Sequence, residues 1–289
     1  MRGKFAKTGI LSRQLAYLAI LLWSCAPRMA LAQTPSPLQE WQYSGGTVLV
    51  RLFEPELPEW RIVAGIGDEV EPLYDGARLY RGQAGPVFNI RYYDIAFASV
   101  GEGVGVNLLR GDHYRVGVAI GYDLGRRVSD DYTHLHGLGD IRRAPVIKLF
   151  ESVAVSRKFP LVLRADVRQF VGGADGAAAD LEAYIPLPGS SKTFVMFAGP
   201  SITFADHLFL QKEFGISTAQ ALASGYPGFD THAGTNAVGF GFSATRFISG
   251  RWLINLDAAV NHLRGSASES PITQRSGQRV LALSIAYNR

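Results

Sequence analysis

From Tyr114 to Leu124 the chain alternates with a period of two. Tyr114, Val116, Val118, Ile120, Tyr122 and Leu124 are large and apolar, whereas Arg115, Gly117, Ala119, Gly121 and Asp123 between them are small or charged. Successive side chains of a strand point to opposite faces, so the stretch builds a β-strand with one greasy face and one polar face. The pattern recurs where Leu161, Leu163, Ala165 and Val167 oppose Arg164, Asp166 and Arg168. Two architectures use such strands. In a soluble sandwich the greasy face looks into a protein core, and in a membrane barrel it looks at lipid while the charges line the lumen. The period alone does not separate them.

The polar faces favour the barrel. Further alternating segments follow at intervals of roughly 10 to 20 residues. They include Val87–Tyr93, Ile147–Val155, Asp180–Ile185, Val238–Thr245, Trp252–Asn261 and Leu281–Tyr287. Their non-apolar sides carry charges of both signs (Arg115, Asp123, Lys148, Arg164, Asp166, Arg168, Asp180, Glu182 and Asp257) mixed with Gly and Ala. A sandwich face in water has no need of so many small residues. A narrow lumen does, because close walls leave room only for small side chains and interlocked ion pairs. The sequence therefore predicts an all-β fold, a closed antiparallel transmembrane β-barrel of about 10–12 strands, with those charges facing the lumen. Tyr92, Tyr114, Tyr122, Trp252 and Tyr287 stand at strand ends, where interfacial aromatic girdles are expected.

The N-terminus bears on the compartment. Arg2, Lys4, Lys7 and Arg13 precede an apolar run from Leu15 to Trp23, and Ala30-Leu31-Ala32 gives a small-x-small cleavage site before Gln33. This reads as a cleaved secretory signal peptide, residues 1–32. A lipoprotein signal on Cys25 is the rival, disfavoured by Trp23 two residues earlier. Residues 33–59 are expected as an N-terminal periplasmic segment, with Thr47–Phe53 open as an additional strand, and residues 60–289 as the barrel. Removing the leader's five basic residues (Arg2, Lys4, Lys7, Arg13, Arg28) from 29 Lys+Arg leaves 24 against 25 Asp+Glu, a formal charge of −1. The basic character of the precursor thus belongs to export and gives no argument for nucleic-acid binding. The single cysteine also lies in the leader, so the processed chain has no thiol chemistry.

Long connections are expected at Arg126–Asp140, Asp206–Thr235 and Arg264–Arg275, the second containing a short helix over Ser217–Ser224 that stops at Gly225. Candidates for chemistry are weak. Gly101, Gly103 and Gly105 lack the following helix of a phosphate loop. His134 and His136 lie near Asp130, Asp131 and Asp140, but read better as a solvated loop than as metal ligands. No serine sits in a nucleophile elbow, and no Ser–His–acid spacing stands out. Neither catalytic, cofactor nor metal residues are assigned, and an enzyme is not expected.

Five motifs in order resemble the MltA-interacting protein (MipA/OmpV) family of Gram-negative outer-membrane proteins. They are Pro72-Leu73-Tyr74-Asp75-Gly76; Gly105-Val106-Asn107-Leu108 with Gly121-Tyr122-Asp123-Leu124-Gly125-Arg126; Leu135-His136-Gly137-Leu138-Gly139-Asp140-Ile141; Phe214-Gly215-Ile216-Ser217 with Ala221 and Ser224-Gly225-Tyr226-Pro227; and Leu263-Arg264-Gly265-Ser266-Ala267 with Ser270-Pro271-Ile272. Two departures are Glu213, where the family often has an aromatic, and a C-terminus that runs two residues past Tyr287. The resemblance implies a non-enzymatic barrel in the outer membrane, surrounded by lipid. It further implies a scaffold for a lytic transglycosylase and a penicillin-binding protein; the alternative, a narrow channel or solute-responsive barrel, is motivated by charged lumen positions such as Arg164, Asp166 and Arg168. It carries over no catalytic residues. The matching Pro72, Tyr74, Gly76, Gly137, Leu138, Gly139, Asp140, Ile141, Phe214, Gly215, Ser217, Ser224, Gly225, Ser270 and Pro271 are expected to set shape.

Overall fold

The computed structural model describes residues 58–156 and 158–289. The leader with Cys25, the cleavage site and Thr47–Phe53 lie outside the described residues. Twelve antiparallel strands close into one barrel, each paired with its neighbours in sequence and β1 sealing against β12. They are β1 (Trp60–Pro72), β2 (Tyr80–Tyr92), β3 (Ala96–Ser99), β4 (Gly103–Arg110), β5 (Tyr114–Asp123), β6 (Ala144–Ala154), β7 (Val162–Phe170), β8 (Ala177–Pro186), β9 (Phe194–Ala205), β10 (Gly234–Ser249), β11 (Trp252–Leu263) and β12 (Gly277–Asn288).

The fold is inside-out relative to a soluble domain. Ile66 is 69% exposed and Ile120 63%, whereas Arg115, Lys148, Arg164, Asp166, Asp180, Glu182 and Asp257 are buried. Apolar side chains outside and charges inside are what a closed sheet requires when hydrocarbon is the outer solvent. This separates the two architectures that the alternation left open. Among the described residues, no helix is long and apolar enough to cross a membrane.

The two ends differ. One carries both ends of the described barrel, Trp60 and Arg289, and the turns after β2, β4, β6, β8 and β10. Aromatic pairs Trp60–Tyr92 and Trp252–Tyr287 lie here, at 4.8 and 5.4 Å between ring centroids. The other end carries the long connections, with short helices α1 (Tyr132–Leu135), α2 (His207–Phe214), α3 (Thr218–Ser224) and α4 (Gly265–Glu269). Tyr122 closes the exposed face of β5 at this end.

The wall is not uniform in height. β3 has four residues and pairs with β2 only over Asn89–Tyr92, so among the described strands Tyr80–Phe88 pair with β1 alone. The Phe88 carbonyl accepts from Val100 N on the β3 side, so even-numbered residues of β2 direct their backbone polar groups there. Pro86 therefore places its missing N–H on the edge without a described partner strand, where a proline costs no ladder bond.

Two strands escape the alternation rule. β3 is too short to show a period. The first half of β9 is apolar on both faces, because Val195 and Phe197 turn inward against Tyr184, Val162 and Ala154, whereas Ser201 and Thr203 of its second half line the lumen. The luminal charges of β7 and β8 thus give way to an apolar plug toward the short-turn end.

Candidate functional site

Apart from Gly105–Leu108, which lies in β4, the sequence motifs spread over about two hundred residues come together in the cap at the long-loop end. The Tyr74 hydroxyl donates to the Ile272 carbonyl at 3.1 Å and accepts from Gln274 Nε2 at 2.6 Å. The Gln274 amide also reaches Asp131 Oδ2 at 3.1 Å. Ser270 donates to the Phe214 carbonyl at 2.6 Å, and the Gln220 amide donates to the Leu138 carbonyl at 2.5 Å. Val128 N donates to Asp140 Oδ1 at 2.7 Å. Beneath these bonds Tyr74, Ala77, Leu135, Leu138, Ile216 and Ile272 form one apolar cluster, and Ile141 and Phe214 join a second around Leu210. The cap is a small core of its own, built from four connections.

Local sequence explains how the connections hold their shape. Ser217 caps α3 by accepting from Gln220 N, Gln220 returns a bond to Ser217 N, and Gly225 ends the helix with φ +80°. Asp206 caps α2 through Phe209 N. Gly137, at φ +76°, lies so close to α3 that a Cβ would sit 2.5 Å from the Ala223 carbonyl carbon. His134 pairs with Asp131 at 2.8 Å, and no set of three metal-ligating side chains converges among the described residues.

Under the cap, and inside the barrel, lies a cavity of about 150 Å³. Its carboxylates are Glu71, Asp75, Asp123 and Glu213, its cations Arg126 and Arg168, and its amides Asn236, Asn261 and Gln278. Phe170, Phe209, Leu263 and Val280 supply apolar wall. Arg126 is tied to the cap, donating to the Glu213 carbonyl at 2.5 Å and lying 5.9 Å from the Tyr74 ring. Glu71 accepts from Arg81 at 3.0 Å. Burial pushes the Glu213 carboxyl up to about 8, against the opposing pull of Arg126, with Asp123 and Asp75 adding to the rise. Burial likewise raises Asp75, which Arg168 partly offsets. The Asp75 residue as a whole is exposed while it also lines the chamber. The Tyr74 phenol is pushed to about 12, chiefly by burial.

Below the chamber the lumen is filled by paired charges. Asp166 lies 3.7 Å from Arg164 and 3.4 Å from Arg168, and Arg168 also pairs with Asp180. Arg115 Nε donates to Asp94 Oδ2 at 2.8 Å, and Arg91 pairs with Glu102. Every luminal charge expected from the strand pattern is buried except Arg168, which is intermediate. Asp123 and Arg168 serve the chamber, and the others lie in the strands around it or below. Sequence reading puts Arg91 on the polar face of Val87–Tyr93 without counting it among the luminal charges, and it missed Asp94, Glu102 and Asn236. Asp94 and Glu102 sit in turns, which carry no period. Asn236 is the extra residue of a β-bulge between Thr235 and Ala237 of β10, and no sequence signal marks it.

A closed twelve-stranded barrel with an apolar exterior, a charge-filled lumen and a capped chamber defines an outer-membrane type of β-barrel protein. The sequence profile described as "MltA-interacting protein MipA" matches residues 64–289, and the chain belongs to that family. A comparison with curated proteins finds no match. Among solved structures the chain is similar to the NanC porin, at 7% identity and a TM-score of 0.38 over 78% of this chain and 98% of that one. It is also similar to the CymD monoaromatic hydrocarbon channel (10%, 0.41, 91% and 98%). The translocator domain of autotransporter NalP from Neisseria meningitidis gives 13%, 0.38, 86% and 99%. At these scores the likenesses add nothing to what the closed barrel already shows.

Proposed function

We propose that this protein is a non-enzymatic outer-membrane barrel that works as an interaction protein and not as an open pore. One observation carries the reading. The lumen holds buried ion pairs and, toward the short-turn end, the side chains of Tyr184, Phe197 and Val162, which narrow it. Barrels place short turns toward the periplasm and longer loops outside. On that rule Trp60 and Arg289 face the periplasm, where the family's name and resemblance direct attention to a lytic transglycosylase and a penicillin-binding protein as docked partners. Export with removal of residues 1–32, and a periplasmic segment at 33–59, belong to the same proposal.

The experiment pairs planar-bilayer recording with capture. The full-length protein in bilayers gives no discrete conductance, and from detergent extracts it retains a lytic transglycosylase or a penicillin-binding protein. Reproducible single-channel steps together with retention of neither enzyme would overturn the proposal. The chamber under the cap is the observation that favours the second reading, a solute-responsive barrel.

A further inference from the structure

A row of uncharged residues crosses four adjacent strands inside the barrel. Ser201 of β9 pairs with Gly239 of β10, Gly239 with Asn261 of β11, and Asn261 with Gln278 of β12. Directly paired residues share a face of the sheet, and all four line the chamber under the cap. Gly239 leaves the row its room, because a Cβ there would collide with Asn261 Oδ1 and Ser201 Oγ.

A second observation is independent of that register. Arg126, Asn236 and Gln278 line the same chamber, each more than nine-tenths buried. Their Arg126 Nε, Asn236 Oδ1 and Gln278 Nε2 atoms have no hydrogen-bond partner among the described residues. Buried side-chain polar atoms are mostly paired, and each orphan carries the cost of its lost hydration. Asn236 is held in place by the backbone. The bulge in β10 interrupts the register there, and the Asn236 carbonyl accepts from Arg264 N at 2.8 Å. Bulges commonly re-aim a side chain next to a functional site. Two of the orphans are donors and one is an acceptor. A hydroxyl both donates and accepts, so a molecule with several hydroxyls satisfies all three.

The charged groups of the chamber already have interactions of their own. Glu71 accepts from Arg81, Arg168 pairs with Asp166 and Asp180, and Asp123 accepts from Gly125 N at 3.0 Å. Arg126 donates to the Glu213 carbonyl, and burial drives the Glu213 and Asp75 carboxyls toward their neutral forms. An ion entering such a site gives up its water without gaining a counter-charge, whereas a neutral molecule does not.

We propose that the chamber binds an uncharged polyol, a free monosaccharide or smaller sugar alcohol, whose hydroxyls meet Arg126, Asn236 and Gln278 and the row from Ser201 to Asn261. The volume of about 150 Å³ suits a molecule of roughly one ring. Phe170 and Phe209, 4.8 Å apart between ring centroids, offer its carbon skeleton an apolar wall. The inference goes beyond the docking of wall enzymes and does not depend on it, and its test has a separate readout.

The test is isothermal titration of the full-length protein in lauryldimethylamine oxide, a detergent that carries no sugar. Glucose and glycerol are the neutral probes, and glucosamine and glucuronate are the cationic and anionic forms of the same ring. Glucose binds saturably, at least about tenfold more tightly than either charged sugar. Octyl glucoside, with the same hydroxyls on a lipid-like chain, does not displace it, which marks a free solute rather than a lipid headgroup as the source. Asn236→Ala weakens glucose about tenfold while leaving the unfolding temperature of the free protein unchanged or higher, because the Oδ1 removed has no partner in the protein. Gln278→Leu, on another strand, weakens it similarly and covers the case in which the bulge variant fails to fold. Equal or tighter binding of glucosamine or glucuronate overturns the proposal, as does binding of octyl glucoside without glucose. Absence of saturable binding by both neutral probes, which leaves the orphans to ordered water, overturns it too. So does unaltered glucose affinity in both variants.

Discussion

Tyr74 and Ile272 stand 198 residues apart in the chain and are joined by a hydrogen bond of 3.1 Å from the phenol to the main-chain carbonyl. The bond links the connection after β1 to the one before β12, and with Gln274 and Asp131 it draws in a third. Tyr74→Phe keeps the ring in its cluster and removes only this polar knot. It should destabilise the cap by about 1–3 kcal/mol, since the Ile272 carbonyl and the Gln274 amide lose a buried partner. Hydrogen exchange reads the effect as lost protection over residues 264–276 with the barrel strands unchanged. Equal loss everywhere would contradict a cap that is its own packing unit.

Gly137 and Gly139 have nearly the same backbone conformation, φ +76° and +77°, but different surroundings. A Cβ at Gly137 meets the Ala223 and Ser224 backbone, and one at Gly139 meets nothing within 4 Å. Gly139→Ala should cost about 1 kcal/mol for the left-handed backbone alone. Gly137→Ala adds a collision and should displace α3, read as faster proteolysis within residues 218–230. Matching sensitivity in the two variants would argue against the close approach.

The facing of β5 is testable by charge. Val118→Arg puts a guanidinium on the lipid side and should cost about 2–4 kcal/mol of stability in vesicles. The sequence alone suggests Ala119→Ser as a silent luminal control, but Ala119 is packed between Phe97 and Phe150, where a hydroxyl has no place. Gly121 is the better control. A Cβ there meets only the Val146 carbonyl oxygen, at 4.0 Å, so Gly121→Ala should be close to neutral.

Asp94 holds Arg115 Nε at 2.8 Å and accepts from Asn107 Nδ2 at 3.2 Å. Asp94→Ala leaves a guanidinium in the lumen without this carboxylate, and should cost about 3–5 kcal/mol. Adding Arg115→Leu should recover part of that loss. Denaturant unfolding in vesicles measures both, and a double variant no better than the single would speak against an ion pair.

Glu213 gives the cap a pH dependence of defined sign. Its carboxyl stays protonated up to about 8 in the folded chain, whereas an ordinary glutamate releases its proton near 4.5. Between those values the folded state holds more protons than the unfolded one, so stability falls as pH rises and levels off above about 8. Arg126 and Lys212 oppose the shift, and Asp123 and Asp75 reinforce it. Protection factors of the α2 amides should decline across that window, and Glu213→Gln should flatten the profile. A profile that rises with pH would reverse the assignment.

Much of the barrel was legible because β-strands advertise their faces. On β5, β7 and β11 alternation located the strands to within a residue or two, as with Leu161–Arg168 against β7 at Val162–Phe170, whereas β8 and β12 begin three and four residues before the alternating segments. It also separated the buried charges from the lipid side. The helix over Ser217–Ser224 was legible from its cap and its terminal glycine. β9 was hidden because Val195 and Phe197 point inward and make both faces of its first half greasy. β3 was hidden because four residues carry no period.

The sequence by itself determined which side of each regular strand meets hydrocarbon, since a period of two needs no knowledge of the partner. It also held the family motifs, but as separate fragments. Only the tertiary structure decided that Tyr74, Leu138, Phe214 and Ser270 share one cap, that a bulge turns Asn236 into a chamber, and that Glu213 keeps its proton there. Those outcomes depend on loops closed across the barrel mouth, and loop contacts follow no periodicity that a chain can carry in its order.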